Sequence, residues 1–72
     1  ENMSIRYNAP DRLIVSVPAA ASIAVSEISG RNILTSELAE GVNELMFRAA
    51  EGVYIFRVTY GEESHSFKYL IK

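Results

Sequence analysis

Apolar and polar residues alternate along most of this chain with a period of two, the repeat of a strand whose successive side chains point to opposite faces of a sheet. The longest run, Gly52-Val53-Tyr54-Ile55-Phe56-Arg57-Val58-Thr59-Tyr60, puts Tyr54, Phe56, Val58 and Tyr60 on one face, with Arg57 and Thr59 marking the other as wetter. Gly61-Glu62-Glu63 turns the chain, and His65, Phe67, Tyr69 and Ile71 then alternate with Ser66, Lys68, Leu70 and Lys72, closing a hairpin. Upstream, Leu13-Ile14-Val15-Ser16-Val17 is rich in β-branched residues and bounded by Pro10-Asp11 and Pro18, where a ladder cannot continue. Ile23-Ala24-Val25-Ser26 and Ile33-Leu34-Thr35 flank Ser29-Gly30-Arg31-Asn32, whose turn chemistry predicts a second hairpin.

The middle of the chain fits two periods. Leu38, Val42, Leu45, Met46 and Ala49 match helical spacing behind a Ser36 cap, whereas Glu40-Gly41 followed by Val42, Glu44 and Met46 reads as a turn and a strand. Gly41 at the centre of a helix would cost about 1 kcal/mol relative to alanine, which favours the strand. Up to seven short strands in one chain of 72 residues predict an all-β, immunoglobulin-like antiparallel sandwich. The chain is read as a single domain over residues 1–72. Residues 1–8 are taken to include the end of a linker, with Glu1-Asn2 as its frayed end.

Composition narrows the chemistry. A chain this short buries roughly 60% of the surface its unfolded form exposes, and with no cysteine and one histidine it has neither disulfides nor a metal to staple a thin core. A net charge of −2 with scattered basic residues offers no stripe for a phosphate backbone, so nucleic acid is not an expected partner. No apolar run approaches the roughly 20 residues that span a bilayer, and Glu1-Asn2-Met3-Ser4 lacks the features of a signal peptide. A Ser-His-Asp arrangement could draw only on His65 and Asp11, far apart in sequence and without an elbow motif, so no catalytic residue is assigned and the chain is not read as an enzyme. One histidine makes a zinc site very improbable, and no metal or cofactor is expected. Glu62-Glu63 reads as a solvated turn, and the triplet Asn2-Met3-Ser4 is too short a pattern to carry a glycosylation assignment. Gly52 is read as a backbone device at the entry to the long strand, and Tyr54 as a tyrosine corner with its ring in the core and its hydroxyl on nearby backbone.

Several segments then align in order: Ser26-Glu27-Ile28-Ser29-Gly30-Arg31, Gly41-Val42-Asn43, Glu51-Gly52-Val53-Tyr54-Ile55-Phe56-Arg57-Val58, Gly61, and Phe67-Lys68-Tyr69-Leu70-Ile71-Lys72. Together they resemble the C-terminal sorting domain of bacterial type IX secretion cargo, end to end. Asn8-Ala9-Pro10 departs from the family's Pro-Asn-Pro-like step, and Ser26 stands where an aromatic is common. The resemblance implies a secretion signal at the end of a larger protein, such as a protease or adhesin of the Bacteroidetes group. It further implies passage through the periplasm, recognition by the outer-membrane translocon, removal by a surface sortase and delivery of the cargo to anionic lipopolysaccharide at the cell surface or to the medium. The expected partners are translocon components, the sortase and upstream cargo domains of the same chain.

The residues assigned to recognition are Gly52, Tyr54, Gly61, Lys68, Leu70, Ile71 and Lys72, and loss of Leu70-Ile71-Lys72 is expected to block export. Lys68 and Lys72 share one face of a strand about 13 Å apart. They suit a receptor, and equally the protection of an exposed edge, an edge that strand addition or a homodimer could also use. The alternative function is a carbohydrate-binding or fibronectin-like accessory module, for which Tyr7, Tyr60 and Tyr69 are the only planes available for stacking on sugar. A structural spacer is the third class and would tolerate changes in the last hairpin.

Overall fold

The nine-residue alternation from Gly52 to Tyr60 forms one strand of that length, and it anchors the larger of two sheets. The computed structural model describes residues 3–72. In chain order the strands are β1 (Ser4–Asn8), β2 (Arg12–Val17), β3 (Ala21–Glu27), β4 (Asn32–Leu38), β5 (Gly41–Met46), β6 (Gly52–Tyr60) and β7 (Glu63–Ile71). A three-stranded sheet in the order β1-β2-β5 faces a four-stranded sheet in the order β4-β3-β6-β7, and every pairing is antiparallel. This is the immunoglobulin-like sandwich that the strand count predicts.

The two inner faces meet in one core. Leu13, Val15 and Val17 of β2 lie opposite Ile23 and Val25 of β3 and Phe56 and Val58 of β6, all essentially without solvent contact. Because the side-chain period is two, these same strands turn Arg12, Ile14 and Ser16, or Arg57 and Thr59, to the outer faces. Phe47, just past β5, is buried and meets Tyr7, Tyr54 and Phe56 edge-on, with ring centroids 6.0–6.4 Å apart. That T-shaped geometry sets ring edges against ring faces.

The ambiguous middle is strand. Leu38 closes β4 in the core, Leu45 packs at its margin, and Val42 and Met46 point outward. Their helical spacing is a coincidence of residues that belong to two strands in different sheets. Asn43 makes the crossing possible: its side-chain amide donates to the carbonyls of Ala39 (2.8 Å), Gly41 (3.2 Å) and Val15 (3.4 Å) while its oxygen accepts from the Ala39 amide (3.0 Å). Asn43→Ala removes a clamp that satisfies four backbone groups at a sheet-to-sheet corner. It is expected to lower stability by about 1–2 kcal/mol, seen as a lower urea midpoint with an unchanged slope.

Residues 4–8 add a strand that the sequence reading did not assign. Ser-Ile-Arg-Tyr-Asn alternates correctly but offers only two apolar side chains, and its partner β2 is needed to fix it, pairing Ser4 with Ser16 through Asn8 with Arg12. Of the span read as including a linker end, Ser4–Asn8 is strand. The expected fraying of Glu1-Asn2, and the Asn2 of the glycosylation triplet, lie outside the described residues.

Candidate functional site

The C-terminal hairpin is set by its turn. Tyr60 pairs with Glu63, leaving the two-residue loop Gly61-Glu62, and Gly61 has φ +59° while Glu62 stays at negative φ. One positive φ at the first loop position is the type II′ pattern, whose twist matches that of the flanking strands and which favours glycine there. At the other end of β6, Gly52 has φ +153°, with Tyr54 Cε1 3.8 Å from where a Cβ would stand. Gly52 and Gly61 thus delimit β6 and contribute conformation.

Tyr54 forms the tyrosine corner: its ring is buried and its hydroxyl donates to the Ala50 carbonyl at 2.7 Å. On β7, Phe67 and Tyr69 flank Phe56, at ring-centroid distances of 6.2 and 5.2 Å. The Tyr69 hydroxyl also accepts from the Tyr7 amide at 3.0 Å. That amide lies on the side of β1 turned away from β2, so Tyr69 joins the open edge of one sheet to the inner face of the other.

The seven residues assigned from sequence therefore separate into two groups. Gly52, Tyr54, Gly61 and Ile71 hold the fold; Ile71, at 4% exposure, is a core residue and offers no surface to a partner. Lys68 and Leu70 stand together on the outer face of the four-stranded sheet, with Leu70 57% exposed, and Lys72 follows, exposed, one residue past the end of β7. Register places Leu70 beside Val53 and Lys68 beside Ile55, so the row borders a small apolar strip. No carboxylate pairs with either lysine among the described residues. The strand that bears the row is the outermost of its sheet, and among the described residues no strand pairs with its far side.

No protein-family model matches the chain, and a search of curated proteins finds no relative. Its chemistry has to be read from the side chains alone.

His65 is half-buried and stacked on Tyr60 at 5.3 Å, with Nε2 3.2 Å from a Glu63 carboxylate oxygen. Asp11 lies in the turn between β1 and β2, whose sheet is not the one that carries His65. Among the described residues no three His, Asp or Glu side chains gather as a metal site would need. Tyr7, Tyr60 and Tyr69 are all half-buried and packed against the core from two different sheets, so they do not form one exposed aromatic plane.

Sequence reasoning missed the outward row on β5, where Val42 is 75% exposed and Glu44 and Met46 are also exposed. The signal was present in the alternation Val42-Asn43-Glu44-Leu45-Met46. It gains meaning only once β5 is known to be an edge.

Proposed function

We propose that this chain is a protein-export signal of the type IX sorting-domain kind, a folded address whose readable part is the outer row of Lys68 and Leu70 on β7 with Lys72 just past its end. The observation that carries the reading is the division of labour within the resembling segments. Gly30, Gly41, Asn43, Gly52, Tyr54 and Gly61 serve turns, corners or clamps. Lys68, Leu70 and Lys72 make no hydrogen bond or ion pair through their side chains among the described residues and remain on the surface for a partner. A carbohydrate-binding module would instead need an exposed aromatic floor, and the three candidate tyrosines are turned inward.

In this reading the domain follows a larger cargo through the periplasm, the translocon grips the β7 row, and a surface sortase cuts ahead of the folded region. The test is a fusion of the chain behind a periplasmically targeted fluorescent protein in a bacterium with a type IX system. The native sequence is compared with one carrying Lys68→Glu, Leu70→Ser and Lys72→Glu. The native fusion is expected at the surface or in the medium and the substituted one in the periplasm, with the same thermal melt for both purified domains. Equal delivery of the two, or equal retention, would overturn the reading.

A further inference from the structure

Backbone parity decides what each open edge of the sandwich offers. In the β6–β7 hairpin Tyr60 and Glu63 close the two-residue loop as a hydrogen-bonded pair, so odd-numbered residues of β7 bond to β6. Ser64, Ser66, Lys68 and Leu70 turn their N–H and C=O groups to the open side. On β5, the amide of Phe47 donates to the Asp11 carbonyl at 2.8 Å in the same register as the β2 ladder, so odd-numbered residues of β5 bond to β2. Val42, Glu44 and Met46 turn theirs outward. On both edges, the residues that present backbone groups also carry their side chains on the outer face of the sheet.

The two rows are complementary. With Lys68 set antiparallel to Glu44, Leu70 falls opposite Val42, Lys72 opposite Glu40 and Ser66 opposite Met46. Within the strands the opposite charges of Lys68 and Glu44 then adjoin the apolar pair Leu70 and Val42, and these rungs can exchange both backbone hydrogen bonds; Lys72 and Glu40, one residue past the ends of β7 and β5, bring a second pair of opposite charges to the other side of the apolar one. A slip of one rung either way sets Lys68 against Met46 or Val42 and Leu70 against a glutamate, so one register is singled out. Symmetric pairing of β7 with a second β7 has no such solution, since its registers put Lys68 against Lys68, Lys72, Leu70, Ser66 or Ser64 and never against a carboxylate. Within one molecule β5 and β7 belong to different sheets, so their pairing requires two molecules. Glu44 also has a long exposed contact of 3.9 Å to Arg12 in its own sheet, a kind of pair that contributes little.

We propose that the β7 edge of one copy pairs with the β5 edge of a second copy, antiparallel and with Lys68 opposite Glu44. The four-stranded sheet of the first continues into the three-stranded sheet of the second. The contact is heterologous and leaves one free edge of each kind, so copies add into a chain instead of stopping at a pair. This assembly does not rest on the export reading.

Sedimentation of the native chain over a range of concentrations tests it. The weight-average mass is expected to climb from the 8.0 kDa of one copy past that of a dimer, and to fall back as salt is added. Two charge-reversed variants, Lys68→Glu with Lys72→Glu and Glu40→Lys with Glu44→Lys, are each expected to associate about tenfold more weakly or worse. An equimolar mixture is expected to recover association, because each variant's β7 then matches the other's β5. A native chain that stays at one copy in millimolar solution overturns the proposal. So does a mass that stops at the dimer, or folded variants that associate as the native chain does or fail to recover on mixing.

Discussion

Replacing Phe56 with alanine is expected to remove a large part of the domain's stability. Phe56 has no solvent contact, and Phe47, Phe67 and Tyr69 all set their rings against it. Removing a buried phenylalanine costs about 3–5 kcal/mol, since the cavity it leaves closes only in part. A 72-residue domain has on the order of 4–10 kcal/mol of total stability, with no disulfide to restrain its unfolded state. The expected signature is a urea midpoint and a melting temperature far below the native ones. Phe56→Leu keeps most of the volume and is expected to melt cooperatively at a lower temperature. A cooperative melt for the alanine variant near the native temperature would show that the aromatic cluster is not the centre of the core.

Removing Leu70-Ile71-Lys72 is expected to destabilise the fold as severely. The cut takes away the buried Ile71 and the last rungs of the β6–β7 ladder, where Gly52 pairs with Ile71 and Val53 with Leu70. Losing the burial of one isoleucine alone is worth about 2–5 kcal/mol, and the exposed end of β6 adds unpaired backbone. Leu70→Ser, which touches only the outer face, is expected to cost less than about 1 kcal/mol. Urea titrations of the two proteins check this. Failure of the truncated chain to reach the surface would therefore report folding as much as recognition, so substitutions confined to the outer row make the cleaner export test.

The sequence made the hairpin of β6 and β7 legible because two glycines bracket an alternation long enough to leave no competing period. Inward and outward residues of β7 followed from the same alternation, and so did the row of Lys68, Leu70 and Lys72. Ile71, by that logic, belongs inside with Phe67 and Tyr69; it stands among the recognition residues only as part of the terminal Leu70-Ile71-Lys72 of the resembling segment. Strand β1 was not assigned because Ile5 and Tyr7 alone cannot bury a strand; β2 and the Tyr69 hydroxyl hold it from far away in the chain. Leu38 to Ala49 stayed open between helix and strand because the deciding contacts, the Asn43 clamp and the pairing of β5 with β2, are not local. The complementarity of the β5 and β7 rows was hidden for a related reason. Knowing which strands are edges requires the whole topology.

The bond between the Tyr7 amide and the Tyr69 hydroxyl ties the first strand of the chain to the last. Without β7 that amide, on the side of β1 turned from β2, loses this partner. One strand therefore has two tasks, parted by its alternation: Tyr69 on the inner face holds β1, while Lys68 and Leu70 on the outer face stay exposed. A partner that grips the outer face of β7 holds, by the same strand, the far edge of the other sheet.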